Sequence, residues 1–183
     1  MDLADTYRRR LRERALDQYG YVTTGDASDL NIPPVELRKL SGRGGLQHLA
    51  YGLYRFDDIP FSGRDQYMEA VLRVGRDAYL THDAVLGLHD LGLVNPRRIR
   101  VGTPHRVRSR IPEHVQVVQQ HLESRDLTVY EGIPSATVAR ALVDCRGIVM
   151  PERLVDAGRE AAARGLLRRS EASRVIATLE ATA

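Results

Sequence analysis

Apolar and polar positions alternate along this chain at two different periods, and the change of period divides it. Leu3, Tyr7, Leu11 and Ala15 recur at helical spacing with Leu16 adjoining. They predict a first helix over Asp2 to Tyr19, ended by Gly20. The next stretch, YVTTGDASDLNIPPVELRKLSGRGGLQHLAYGLYRF, is punctuated far more densely. Thr24 can cap a short helix running to Leu30, and Asn31-Ile32 makes a turn. Pro33-Pro34 opens a second helix, Pro34 to Ser41, where a missing N–H costs nothing. Val35, Leu37 and Leu40 can serve a core, which leaves Arg38, Lys39 and Arg43 for another surface. The run Gly42-Arg43-Gly44-Gly45 stops that helix. Leu46 to Leu49, a turn at Ala50-Tyr51-Gly52 and Leu53 to Phe56 then read as a β-hairpin. Leu53 and Tyr54 fall on opposite hairpin faces, with Tyr54 taken as the inward one.

Beyond a linker at Asp57 to Gly63 the pattern turns mixed. Helices are expected over Arg64 to Arg76 and, capped by Thr81, over His82 to Asp90. Arg97 to Thr103 alternates as a strand, with Ile99 and Val101 inward. His105 to Arg110 is a polar loop, and His114 to His121 and Leu127 to Ile133 read as two more strands. Pro134-Ser135-Ala136-Thr137 opens a helix to Cys145, Pro151 opens another to Arg164, and Ser170 caps a last one to about Glu180. The expectation is an α+β chain. Residues 1–58 form a winged helix-turn-helix, and residues 62–183 form an α+β domain with a small sheet and C-terminal helices.

Composition adds bounds. With 183 residues, 43% hydrophobic and 28% charged, the chain suits a soluble globular protein. No apolar run approaches a membrane span, and the N-terminus lacks the apolar segment of a signal peptide. Cys145 is the single cysteine, which excludes an intrachain disulfide and a cysteine zinc cluster. In its apolar helical setting it reads as a buried filler. Together these features predict a cytoplasmic protein.

Net charge is a mild +3, but its distribution is uneven. All of the 27 basic residues except Lys39 are arginine, which suits bidentate contacts, or equally a GC-rich genome. Arg8, Arg9, Arg10, Arg12 and Arg14 spread around the first helix, as a solvated face or as phosphate contacts. Arg97, Arg98, Arg100, Arg106, Arg108 and Arg110 crowd one segment with no acid before Glu113. That segment could extend a DNA footprint, grip an acidic protein, or remain a solvated loop.

The order of short helix, proline-opened helix, glycine stop and hairpin suits a major groove, with the hairpin on the flanking backbone. The candidate DNA contacts are Thr24, Ser28, Arg38, Lys39, Arg43, His48 and Tyr51. Glu36 could accept from a cytosine amine or pair with Arg38 or Lys39. Contact with protein alone is the other use of such a module. For catalysis the best set is His82-Asp83 with His89-Asp90, but seven residues on a helix separate the histidines by about 10 Å. One metal cannot easily take both, and capping or core roles serve them better. No phosphate loop, nucleophile elbow or paired-histidine zinc motif occurs. The expectation is a protein that is not an enzyme and needs no cofactor.

Three stretches resemble the AbiEi-type antitoxins of bacterial abortive-infection toxin–antitoxin systems. GGLQHLAYGLYRF is similar to that family's leucine-bearing wing closing on Gly-x-Tyr. AYLTHDAVLGLHDLGL resembles its Ser/Thr-His helix, and IPSATVARALVDCRG resembles its Ile-Pro-opened helix with Arg-x-Leu-Val-Asp. In the last, Arg140 and Asp144 can pair at four-residue spacing. The resemblance implies an N-terminal domain that binds operator double-stranded DNA and represses its own operon. It also implies a C-terminal domain that counters a nucleotidyltransferase-like toxin encoded nearby, by direct binding or by acting on its target. The runner-up is a winged-helix regulator whose C-terminal domain senses a ligand or a protein.

Overall fold

The structure is a computed structural model that describes residues 3–181, with side chains from Asp5 onward. Asp2, and Leu3 as a core residue, therefore lie outside the described residues. The chain is α+β and divides into two compact units, Met1–Arg76 and Asp77–Ala183. The division falls later than a 58/62 boundary, because the helix after the linker closes the first unit.

In that unit α1 (Leu3–Leu16) is followed by β1 (Tyr21–Thr23), α2 (Thr24–Asp29), α3 (Val35–Gly42), β2 (Leu46–Ala50), β3 (Leu53–Phe56) and α4 (Asp65–Val74). The three strands order as β1-β3-β2, all antiparallel. Strand β1 was not expected from the sequence. It makes β3 the central strand, so both faces of β3 are used. Val22, Tyr54, Phe56 and Leu46 join Leu11, Ala15, Ala27, Ile32, Leu37 and Leu40 in one core. On the other face α4 covers the sheet: Tyr21 Oη donates to Glu69 at 3.1 Å, and Arg55 lies 3.5 Å from Asp65. Leu53 and Tyr54 are therefore both buried rather than one in and one out.

The short helices have clear local causes. Thr23, not Thr24, caps α2. Its hydroxyl accepts from the Asp26 N–H at 3.0 Å while Asp26 accepts from the Thr23 N–H at 2.8 Å, a reciprocal capping box. Pro34 precedes α3, and Arg43 ends it ahead of Gly44 at φ +88° and Gly45 at φ +80°. The positive φ at Gly45 is one that L side chains rarely adopt, and there the chain passes beside the Arg8 guanidinium. The hairpin turn Tyr51-Gly52 rests against α2, with the Thr24 N–H donating to the Gly52 carbonyl at 2.9 Å.

The second unit holds a mixed sheet ordered β6-β5-β4-β8-β7, from β4 (Tyr79–Leu80), β5 (Ile99–Thr103), β6 (Val115–Gln119), β7 (Leu127–Tyr130) and β8 (Ile133–Ala136). Helices α5 (Asp83–Leu88), α6 (Val138–Asp144), α7 (Pro151–Ala163) and α8 (Arg169–Glu180) accompany it. Leu80, Val101, Ile133, Leu86, Leu142 and Leu154 are buried among them. Leu127 to Ile133 proves to be a hairpin rather than one strand. Glu131 and Gly132 take positive φ and turn the chain back, and Ile133–Ala136 is β8 rather than a helix start. Thr137 caps α6, Arg168 rather than Ser170 precedes α8, and Pro151 opens α7 as expected. Cys145 is fully buried, and burial pushes its thiol pKa up. Among the described residues no helix is long and apolar enough to cross a membrane.

Candidate functional site

Helix α3 has two faces of opposite character. Leu37 and Leu40 are buried, while Val35, Arg38, Lys39 and Gly42 form an outward stripe at helical spacing. Val35 belongs to this stripe and not to the core, being 54% exposed. The sequence carried the signal: two positions from Leu37 is about 200° around a helix. Arg38 and Arg43 meet no carboxylate or carbonyl among the described residues. Lys39 is held by Glu36 at 2.7 Å, three positions back on an open face.

The hairpin supplies the remaining candidates. Tyr51 stands at the tip, 100% exposed. His48 projects from β2 beside Tyr54, with ring centroids 4.8 Å apart. Thr24 lies under the turn, half-buried, with its N–H committed to Gly52. The Ser28 hydroxyl donates to the Thr24 carbonyl at 3.0 Å, so it must leave that bond to reach a phosphate.

Four of the five arginines of α1 behave differently from a solvated face or from a phosphate rim, while Arg9 is exposed and makes none of their ties. Arg8 donates to the Gly44 carbonyl at 3.2 Å and lies over the Phe56 ring. Arg10 donates to the Leu30 carbonyl at 2.8 Å, Arg12 pairs with Asp58 at 2.7 Å and Arg14 with Asp26 at 2.9 Å. They fasten α1 to the ends of α2 and α3 and to the segment after β3. Asp26 would be raised by burial, but hydrogen bonds from Thr23, Arg14 and Gln18 outweigh that and hold its carboxyl below the usual range.

In the second unit the arginine-rich segment divides. Arg97 and Arg98 are exposed ahead of β5. Arg100 turns inward, half-buried, to the buried Asp83. Arg106, Arg108 and Arg110 are exposed on the crossover to β6, which must travel back along β5 because the two strands are parallel. Thr81 is fully buried and does not cap α5. His82 does, at φ +53° without a side-chain cap bond, while Thr81 Oγ1 lies 3.0 Å from His82 Nδ1. Burial lowers the His82 pKa, and His89 ends the same helix, itself buried. Arg140 and Asp144 form the expected pair at 2.8 Å.

No protein family and no curated protein matches the chain. Among solved structures it is similar to the RV2827C protein from Mycobacterium tuberculosis, with 17% identity, 97% of this chain and 77% of that chain covered, and a TM-score of 0.42. A likeness of that size carries no functional weight.

Proposed function

We propose that this chain is a winged helix-turn-helix DNA-binding antitoxin that represses its own operon and counters a nucleotidyltransferase-like toxin encoded nearby. One observation carries the DNA-binding half: the outward stripe of α3 presents Val35, Arg38 and Lys39, with Arg43 at its end, while the fold uses four of the five arginines of neighbouring α1 for itself. A helix is about 10–12 Å across and the major groove about 12 Å wide, so this face can enter it. Arg38 and Arg43 supply guanine or phosphate contacts, and Lys39 exchanges a weak surface pair for a phosphate. Val35 can meet a thymine methyl. Tyr51 and His48, on the wing, lie along the adjoining backbone. The resemblance of three motifs to AbiEi-type antitoxins supports the antitoxin half.

The test is fluorescence anisotropy on the DNA upstream of the chain's own gene. Arg38→Ala and Arg43→Ala should each weaken binding by about 1–3 kcal/mol where they contact a base. Unchanged affinity in both would remove α3 from the interface. Expression of the neighbouring gene with and without this chain checks the second half. A harmless neighbour, or growth arrest that the full chain does not relieve, would leave a DNA-binding regulator.

A further inference from the structure

We propose that the outer edge of β6 is a self-association surface, on which a second copy of this chain pairs its own β6 antiparallel about a two-fold axis. The inference concerns the C-terminal unit alone and holds under either reading of the N-terminal unit.

The ladder decides which backbone groups of β6 are already used. Strand β6 ends the five-stranded sheet and pairs only with β5, in parallel, from Ile99 opposite Val115 to Thr103 opposite Gln119. The Ile99 N–H donates to the His114 carbonyl at 2.8 Å, and the Gln120 N–H donates to the Thr103 carbonyl at 2.9 Å. Even-numbered positions of β6 therefore bond to β5, and odd-numbered positions aim their backbone groups away from the sheet. The Val115 N–H turns back to the Pro112 carbonyl at 3.0 Å. The Val115 carbonyl and both backbone groups of Val117 and Gln119 are left on the outer edge, without a hydrogen-bond partner among the described residues.

Proteins ordinarily blunt such an edge with brevity, a bulge, charge or proline. The other edges of this chain follow that rule. Strand β1 is three residues long, and β2 breaks register between His48 and Ala50. Strand β7 is four residues long, with Arg125 and Asp126 before it and Glu131 after it. Strand β6 has none of these devices. From His114 to Leu122 the sequence HVQVVQQHL holds no Asp, Glu, Lys, Arg or Pro, and five residues pair with β5 in unbroken register. Its three valines are β-branched and favour a further strand.

The ends of β6 identify the occupant as another β6. With the two-fold axis at Val117, that residue faces its equivalent and exchanges both backbone bonds with it. Each Gln119 N–H meets the Val115 carbonyl of the other copy. Glu113 then faces His121 of the second copy, and His121 faces the second copy's Glu113; both residues are exposed. A carboxylate meets an imidazole N–H at each end. Moving the axis one residue on, to Val118, sets Glu113 against Glu123 of the second copy, a like-charge pair that opposes association. An unrelated strand would fill the same backbone groups without the matched ends. Pairing uses the β6 edge of both copies, so the assembly closes at two.

The experiment is sedimentation velocity on the full chain, free of nucleic acid, from about 1 to 300 µM. The expected result is a reversible shift from the 20.5 kDa monomer toward twice that mass. A Kd of about 1–100 µM is expected, because a strand edge is a small interface. Val117→Pro removes an outward N–H that takes no part in the β5 ladder, so the fold tolerates it while association weakens by about thirtyfold or more. A cooperative thermal melt checks that fold. Should Val117→Pro unfold, the exposed charges decide. His121→Glu should weaken association by about threefold or more, and Glu113→Lys/His121→Glu should restore it. The proposal falls if the chain stays monomeric throughout, if assemblies keep growing beyond two copies, or if folded Val117→Pro associates like the wild type. It also falls if the double charge variant fails to recover what His121→Glu lost. A monomer that instead loses a one-to-one complex with the neighbouring gene's product in Val117→Pro would assign the edge to that protein. Operator binding by Arg38→Ala, measured on the same preparations, keeps a failure here separate from a failure of the DNA-binding reading.

Discussion

Helices α1 and α3 both carry several basic residues within one small unit, yet they use them in opposite ways. On α1, four arginines reach carbonyls or carboxylates from 12 to 46 residues away along the chain. On α3, Arg38 and the capping Arg43 reach nothing within the described fold. A count of basic residues ranks α1 first as a nucleic-acid face. The hydrogen bonds lower that ranking: Arg8 and Arg10 are held on carbonyls, a guanidinium already neutralised by Asp26 or Asp58 has little charge to offer a phosphate, and Arg9 is the one α1 arginine exposed without such a tie among the described residues. A cation becomes informative about function when the fold has left it without a partner.

The strongest way to sharpen this contrast is to break the most interior cation. Arg55 and Asp65 are 5% and 6% exposed in their side chains, with Arg55 donating to the Phe56 and Ile59 carbonyls and lying 3.6 Å from the Phe61 ring centroid. Asp65→Ala should strand that charge and destabilise the unit by about 3–5 kcal/mol, read from the urea midpoint. Any loss of operator binding should track the fraction unfolded. A soluble, fully stable variant would mean that Arg55 is free to serve something else.

Asp26 comes next. It accepts from the Thr23 N–H and hydroxyl, Arg14 and Gln18, so Asp26→Ala removes the capping box and one α1 tie together. A loss of about 2–3 kcal/mol is expected in chemical denaturation. The pH dependence gives an independent check. A carboxyl whose pKa is depressed in the folded state adds stability that is present above its unfolded value of about 3.9. That stability is lost as pH falls through the lower folded value. Wild-type stability should therefore drop on acidification in this window, and Asp26→Asn should remove part of the drop. An identical acid profile in both would deny Asp26 its anchoring role.

How much of this was legible depends on how local the cause is. Pro33-Pro34, the glycines after Ser41 and the hydrophobic pairs around Tyr51 act within a few residues, and α3 and its hairpin lie close to where those signals put them. Strand β1 is three residues long and owes its existence to β3, more than 30 positions away, so nothing near Tyr21 announces it. Pro134 pointed to a helix start, yet it lies within β8. It is tolerated there because β4 is two residues long and pairs with β8 only at Leu80 and Ser135, leaving no ladder partner for the missing N–H. The site shows the same division. Arg38, Arg43 and Tyr51 could be picked out as an exposed set, and Val35 could have joined them from the helical wheel. The retirement of the α1 arginines could not be foreseen, and neither could the splitting of Arg97 to Arg110 by the Arg100–Asp83 pair, since those partners are distant in sequence.

Val35 sharpens the contrast at a smaller scale. It is 54% exposed, so Val35→Ala should change stability by no more than about 0.5 kcal/mol. If its methyls meet a thymine, operator affinity should fall by about 1 kcal/mol, and replacing that thymine with uracil should produce the same loss in the wild type but none in the variant. Equal sensitivity of both proteins to the uracil substitution would place Val35 away from the base edge.

The smallest expected effect separates the two helices most directly. Arg12 and Asp58 are 39% and 52% exposed in their side chains, so Arg12→Ala should cost between about 0 and 1 kcal/mol of stability, less at high salt. Such a change is hard to interpret by itself, but its consequence for DNA binding is distinct. Each cation that neutralises a phosphate contributes about 0.9 to the slope of log affinity against log salt. Arg43→Ala should flatten the slope by about that amount, because its charge is available. Arg12→Ala should leave the slope unchanged, because Asp58 already balances its charge. The two variants lose the same charge from the same unit, so net charge alone predicts identical slopes. A flattened slope for Arg12→Ala would mean that the α1 pairs open on DNA and that both helices share one phosphate-binding surface.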